Sequence, residues 1–274
     1  MNTVQEQPAL LRSAIERLRA ARNAAPPPSR GEIIQALAAA AKRWQNRSDS
    51  RRRQALDHLA AHSGLAPAML DEGLDHQLAD YTTETLARIY DEAAAQAGPG
   101  SRSPAVSLLI AAGNVPGLAL PDVAAILLAG SACLIRPPAR DPLTPGLFAE
   151  TLIEVEPRMA DLIAVASWPR DAAEITSAVA GAVDCVVASG GDETIDALAL
   201  DAAHLIGFGH RWSAALIGAE ALAGADAIAD RLARDVCFYE QQGCLSPHVA
   251  YVEEGGTIDP PEFARRFAAA LKRL

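Results

Sequence analysis

Residues 106–136 read VSLLIAAGNVPGLALPDVAAILLAGSACLIR, and the succession of textures within them decides the fold. The run VSLLIA (106–111) is apolar without polar alternation, which suits a strand covered on both faces. GNVPG then breaks the chain with two glycines and a proline. PDVAAILLAG has the alanine-rich texture of a short packed helix, and ACLIR (132–136) is apolar again. Strand, helix and strand in close succession form the unit from which parallel sheets are built.

The alternation continues downstream. A helix near 145–154 precedes LIAVAS (162–167), a helix near 171–180 precedes DCVVAS (184–189), and a helix near 192–200 precedes HLIGFG (204–209). SAALIGA (213–219), a helix over about 222–236, a cysteine-bearing loop, HVAYVE (248–253) and the amphipathic PPEFARRFAAALKRL follow. Upstream, residues 1–100 read as helical. Leu11, Ile15 and Leu18 form one apolar stripe, and Ile33, Ile34 and Leu37 begin another after the breaker APPPSRG (25–31). A third helix is expected over about 51–62 and a long one from about Leu74 to Gln96, with GPGSRSP (98–104) as the boundary. The expected fold class is α/β: a helical N-terminal region, then a doubly wound parallel sheet and the start of a second α/β domain.

Composition removes several classes of function. The 274 residues carry a formal net charge of −10, which argues against a nucleic-acid surface. The one basic run, RRR at 51–53, reads as a solvated helix face. Lys42 and Lys272 are the sole lysines, so a Schiff-base lysine in the centre of the chain is excluded. The N-terminus MNTVQEQPALLRSAIERLRAAR has no apolar core of a secretory signal. LALPDVAAILLAGSACLI is interrupted by Pro121, Asp122 and Gly130, so no membrane span is expected and a cytoplasmic protein is. Cys133, Cys185, Cys237 and Cys244 are spread along the chain, as reduced thiols are, and no metal is expected. His58 and His62 share a helix face, but LAA between them supplies no glutamate, and the pair reads as helix surface.

Ligands of a doubly wound sheet lie at the carboxyl ends of its strands. AAGNVPG (111–117), RPPARDP (136–142) and ASGGDET (188–194) qualify by position, although no G-x-G-x-x-G is present. SGGDET offers backbone N–H groups to a phosphate at a helix start, or Asp192 simply caps that helix. GNVPG alone is a turn.

Taken together, GNVPG (113–117), AGSACLIRPPARDPLT (129–144), SGGDETI (189–195), FGHRWSAALIG (208–218) and EQQGCLSP (240–247) resemble the aldehyde dehydrogenase superfamily. The closest likeness is to its LuxC-like acyl-CoA reductase branch, from about residue 55 to the end, with the motifs in family order. The resemblance implies three parts: a helical region (1–100), a Rossmann-like nucleotide-binding domain (101–212) and the beginning of a catalytic domain (213–274). It implies that Cys244 attacks an acyl-CoA or other acyl thioester, that a nicotinamide cofactor reduces the enzyme-bound thioester, and that aldehyde leaves. Asn114 matches the asparagine that holds the developing oxyanion. Arg136, Pro137, Ser189, Gly190, Gly191 and Gly209 match cofactor-binding positions. Members preferring NAD often carry a glutamate where Ala139 stands here, and with Arg136 and Arg140 nearby this favours NADPH, NADH remaining possible. Hydrolytic members carry a glutamate base about where Gly207 stands in LIGFGHRW (205–212), so acyl transfer with CoA is the more coherent chemistry. His204 and His210 read as packing residues, Cys133 and Cys185 as core thiols, and Cys237 as a packed thiol beside the loop. The family's catalytic domain continues well beyond the nucleophile, whereas this sequence runs 30 residues past Cys244. A truncated chain, a homo-oligomer or a complementing acyl-transfer partner is therefore expected. A CoA-acylating aldehyde dehydrogenase of short aldehydes and a non-catalytic nucleotide-binding subunit are the alternatives.

Overall fold

The computed structural model describes residues 7–24, 26–98, 100–199 and 201–274. Residues 1–6 of the polar N-terminus, Ala25 of the breaker, Pro99 of GPGSRSP and Leu200 at the expected end of a helix lie outside the described residues. Two compact units divide the chain, Met1–Gly209 and His210–Leu274.

Five helices open the first unit: α1 (Gln7–Ala24), α2 (Arg30–Gln45), α3 (Ser50–His62), α4 (Pro67–Ala79) and α5 (Thr83–Gln96). Ser29 starts α2 with a capping box: its Oγ accepts from the Glu32 N–H at 3.4 Å, and its own N–H donates to Glu32 Oε2 at 2.7 Å. The single long helix expected over 74–96 is instead α4 and α5. Thr82 breaks it, adopting extended backbone and accepting the Thr85 N–H on its Oγ1 at 3.1 Å. Tyr81, at the corner, turns inward onto the Phe148 ring, so burying an aromatic side chain fixes the bend.

The basic run 51–53 also departs from the solvated face expected of it. Arg52 is fully buried. It donates to Asp75 at 2.6 Å, to the Trp44 carbonyl at 2.7 Å, and to both the carbonyl and the carboxylate of Asp71. Arg51 reaches Glu150 and Glu154, and Arg53 alone of the three is exposed. The acids that draw Arg52 inward lie 19 and 23 residues downstream on α4, beyond the reach of a local charge count.

Five strands form one parallel sheet: β1 (Val106–Ile110), β2 (Ala132–Arg136), β3 (Ile163–Val165), β4 (Cys185–Ser189) and β5 (Leu205–Phe208). Their order is β3-β2-β1-β4-β5, so β1 is central, and every one of its residues is buried. Helices α6 (Ala119–Leu128), α7 (Thr144–Val155), α8 (Ala173–Ala180) and α9 (Asp192–Ala199) connect the strands. Leu108, Leu109, Leu134, Ile135 and Val186 are fully excluded from water, each contributing about 1.5–3 kcal/mol of burial. Trp44 of α2 meets Phe148 of α7 edge-on at 5.4 Å, and its indole N–H donates to Thr151 Oγ1 at 2.9 Å. Arg19 of α1 pairs with Asp184 at 2.8 Å, and Asp184 accepts the Val106 N–H at 2.8 Å, which ties α1 to the start of β1.

The second unit contains β6 (Ala214–Ile217) and β7 (Val249–Val252), which pair in parallel, with α10 (Ala225–Cys237) and α11 (Pro260–Leu271). A 3-10 turn over Ala219–Gly224 precedes α10, so the α-helix starts later than the expected 222. Ile217, Leu222, Leu232 and Phe263 anchor its core. The register pair Leu216 and Tyr251 points the other way and is exposed. β7 pairs with no strand but β6 among the described residues. No helix among them is long and apolar enough to cross a membrane.

Replacing Arg52 by Ala leaves Asp71 and Asp75 to Arg47 alone, frees the Trp44 and Asp71 carbonyls and empties a fully buried site, and is expected to cost about 3 kcal/mol, whereas Arg53→Ala stays within about 0.5 kcal/mol. Urea unfolding followed by far-ultraviolet circular dichroism measures the difference.

Candidate active site

The strand order turns back between β1 and β4, and in a parallel sheet of this kind that switch point opens a crevice at the carboxyl ends of the strands. Asn114 lies in the loop leaving β1, half-buried between two glycines. A Cβ on Gly113 would stand 2.6 Å from Pro138 Cβ, so the first loop lies flush on the loop leaving β2. Gly117 has φ 67°, a left-handed turn, and a side chain there would press on Leu74. Asp141 fastens the same two loops: its buried carboxylate accepts the N–H of Thr144 at 3.1 Å and that of Gly117. Burial raises its pKa, and these hydrogen bonds pull it back.

Arg136 ends β2 and is followed by the buried Pro137. Its Nη2 donates to the Trp168 carbonyl at 3.2 Å and its guanidinium sits 5.2 Å from the Trp168 ring centre. Nε is buried without a partner. Burial lowers the Arg136 pKa, and the neighbouring Arg170 lowers it further. Ser189 ends β4 half-buried, with Gly190 and Gly191 exposed after it. A Cβ on Gly191 would meet nothing within 4 Å, so packing does not demand glycine there. The Gly191 carbonyl takes the first helical bonds of α9, from Thr194 and Ile195. Asp192 is therefore the first residue within the helix and not its cap, a correction to the capping role considered for it. Gly209 follows β5, and a Cβ there would meet Asp192 Oδ1 at 2.4 Å. Gly207, in β5, lies under α9: a Cβ would stand 2.6 Å from Ile195 Cγ2. A larger side chain at 207 would press on Ile195, which disfavours an acid there.

The structure thus sets Asn114, Arg136, Pro137, Ser189, Gly190, Gly191 and Gly209 at the carboxyl ends of β1, β2, β4 and β5 in the first unit. An orphaned guanidinium donor and open glycine backbone at those ends fit an anionic nucleotide. Trp168 and Arg170 belong to the same edge and were missed by sequence reasoning. The available signal was SWPR directly after the apolar run LIAVA, that is, an arginine at a third strand end.

Cys244 lies in the second unit, between α10 and β7, and is exposed. Tyr239, Glu240 and Gln241 before it hold φ of 56°, 49° and 61°, three successive left-handed residues without a glycine. Such backbone costs about 1–2 kcal/mol per residue and persists where the surroundings impose it. The turn is closed by Gln242 N–H to the Tyr239 carbonyl at 2.8 Å and Ser246 N–H to the Gly243 carbonyl at 3.1 Å. Ser213 Oγ donates to the Cys244 carbonyl at 2.6 Å. Gly243 abuts Ser246 Oγ, where a Cβ would come to 3.0 Å. The other thiols differ. Cys133 is fully buried, its pKa pushed up by burial and then by Asp122. Burial raises Cys185 too, and Cys237 is half-buried at the end of α10. His204 and His210 are exposed. His58 and His62 stack at 4.2 Å on the surface of α3, and no cluster of three or more metal-ligating side chains occurs among the described residues.

The family model described as acyl-CoA reductase (LuxC) matches residues 25–274. A long-chain acyl-protein thioester reductase of Vibrio harveyi is 28% identical over 243 residues, covering 80% of this chain and 50% of that protein. The Aliivibrio fischeri protein of the same description is 31% identical over 152 residues, covering 53% of this chain and 31% of its own length. The chain therefore spans about half the length of the curated relatives it matches, or less. Among solved structures, the aldehyde dehydrogenase KauB of Pseudomonas aeruginosa superposes with TM-score 0.76 at 18% identity, over 97% of this chain and 55% of that one. The NADP-dependent glyceraldehyde-3-phosphate dehydrogenase of Bacillus halodurans, solved with NADP, superposes with TM-score 0.70 at 15% identity, over 97% and 56%. The fold is that of aldehyde dehydrogenases, and the chain belongs to the LuxC acyl-CoA reductase family.

Proposed function

We propose that this chain carries the nucleotide-binding and acyl-accepting parts of a reductase that converts a fatty acyl thioester to the aldehyde. The observation that carries the reading is Cys244, the one exposed thiol of the four, set on a strained and hydrogen-bonded turn. A thiolate there is open to an electrophile, whereas burial keeps Cys133 and Cys185 protonated.

In this reading the Cys244 thiolate adds to the acyl carbonyl carbon, forming a C–S bond. The original thioester bond breaks, and the released thiolate of CoA, or of an acyl-bearing protein, takes a proton from water. The name of the Vibrio harveyi relative, an acyl-protein thioester reductase, favours including the second donor. The Asn114 amide N–H donates to the carbonyl oxygen as negative charge develops on it. Gly113 and Gly117 hold the Asn114 loop against the β2 loop and so fix that donor before substrate arrives. The nicotinamide cofactor, NADPH by preference, supplies hydride to the thioester carbon when bound. Arg136, Pro137, Ser189, Gly190, Gly191 and Gly209 line its site in a Rossmann-like arrangement, and Ala139 places no carboxylate against a 2′-phosphate. Aldehyde then leaves and Cys244 is a thiolate again. Gly207 stands where the resemblance puts the glutamate base of hydrolytic members, which favours reduction or return transfer to a thiol over hydrolysis.

Incubation of the full chain with tetradecanoyl-CoA, without cofactor, is expected to give a hydroxylamine-labile acyl adduct by intact-protein mass spectrometry. Cys244→Ser gives none, and Asn114→Ala slows adduct formation by about 10²–10³. A folded protein that forms no adduct, or an adduct that persists in Cys244→Ser, would falsify the reading. In a separate experiment, peptide mapping after limiting iodoacetamide should find Cys244 alkylated first, and Cys133 only once the chain unfolds.

A further inference from the structure

Ser213 meets the Cys244 turn twice, once with its side chain and once with its backbone. Its Oγ donates to the Cys244 carbonyl at 2.6 Å, across 31 residues of sequence. Its own carbonyl accepts the His248 N–H at 2.9 Å, one step before the register pair Ala214 and Val249 opens the β6–β7 pairing. One residue therefore grips both ends of segment 244–248, where the chain leaves the turn and enters β7. Beside it the Trp212 and His248 rings lie nearly parallel across the same junction, 9° apart in plane with centres 6.4 Å apart. The bonds from Gln242 to Tyr239, from Ser246 to Gly243, and from Ser246 Oγ to the Phe238 carbonyl at 3.3 Å each join two residues of the turn itself. Bonds of that kind fix the shape of the turn and say nothing of its placement. The Ser213 hydroxyl adds a tie from the entry of a strand whose position the parallel pairing sets.

Three left-handed residues precede the exposed thiol, and such backbone persists where the surroundings impose it. The bond from Ser213 lands on the peptide that follows Cys244. Holding that carbonyl restrains rotation about the Cys244 Cα–C bond, and with it the direction in which Sγ is presented. We propose that Ser213 is a positioning residue for the nucleophile, its hydroxyl acting through the Cys244 carbonyl to set the line along which Sγ reaches an acyl carbonyl. Attack on a carbonyl is demanding in distance and angle, so a nucleophile held in line gains rate that a free one forfeits. The Ser213 proton goes to the carbonyl oxygen and not to sulfur, so the tie governs direction of attack and leaves the thiol's reactivity toward a small alkylating agent alone. The inference rests on Cys244 being the acyl acceptor of the proposed function.

Acylation of the full chain by tetradecanoyl-CoA, timed by intact-protein mass spectrometry over a range of acyl-CoA concentrations, is compared with alkylation of Cys244 by limiting iodoacetamide. Ser213→Ala is expected to lower the limiting acylation rate about 10–100-fold, with the half-saturating concentration and the alkylation rate each within about twofold of wild type. Ser213→Thr, which keeps a hydroxyl at a strand entry, should restore most of the acylation rate. Thermal melts show whether each variant is folded. Should Ser213→Ala not fold, Ser213→Thr and Ser213→Val, close in shape and different in the hydroxyl, make the same comparison. An acylation rate unchanged in Ser213→Ala, equal losses of acylation and alkylation, or no recovery in Ser213→Thr overturns the proposal. Wild type separates this inference from the reading beneath it. No adduct on wild type removes both, whereas an adduct formed as fast by Ser213→Ala removes the role of Ser213 alone.

Discussion

The contact between Gly113 and Pro138 is the constraint on which the candidate site depends. With 2.6 Å available for any Cβ, only glycine lets the loop leaving β1 lie against the loop leaving β2. Pro138 supplies a ring of fixed backbone geometry to lie against. At the other end of the loop, Gly117 adopts its left-handed turn and gives its N–H to Asp141, a carboxylate buried in the second loop. Asn114 is thus pinned from both sides by a partner loop some 25 residues away. The two motifs GNVPG and RPPARDPLT are halves of one structural element, which is why neither says much when read alone.

The strands were legible because a parallel sheet buried on both faces leaves its strands few polar positions. VSLLI, ACLIR and CVVAS read as mainly apolar runs, with Ser107 buried on Ser131 and with Arg136 and Ser189 at two of the ends, and Cys133 and Cys185 in them are buried. The helical region was less legible. The stripe from Leu74 to Gln96 keeps its period through Tyr81, and only a threonine in extended backbone, serving as a cap, divides it. Arg52 was misread for a related reason. A charge run predicts a wet face unless acids from another helix desolvate it, and Asp71 and Asp75 do so from α4.

The candidate site divides along the same line. Cys244, Asn114 and the strand-end residues were found through motif likeness, whose order along the chain survives even where identity is low. Arg170 and Trp168 had no such likeness to carry them. They stand beside Arg136 and its unbonded donor, a property of three-dimensional packing. The left-handed run at 239–241 was likewise hidden, because Tyr, Glu and Gln give no local cue to positive φ where a glycine would.

Two absences in the sequence acquire physical reasons once the elements are placed, and the reasons reinforce each other. At Gly207 a side chain would press on Ile195 of α9, whose Cγ2 stands 2.6 Å from a Cβ built there. Position 139 carries no acid, and Arg136 before it keeps a buried Nε without a partner. In the proposed reading, the first absence removes the residue that would prepare water to hydrolyse an acyl thioester. In the same reading, the second leaves no carboxylate in that loop to repel a phosphorylated cofactor. In the proposed reaction these are the two properties required: a thioester that waits for hydride, and a site suited to the phosphorylated cofactor that commonly delivers it in reductive chemistry. In that reading a carboxylate at 207, where the resemblance puts the base of hydrolytic members, would have to push the Ile195 side chain of α9 aside.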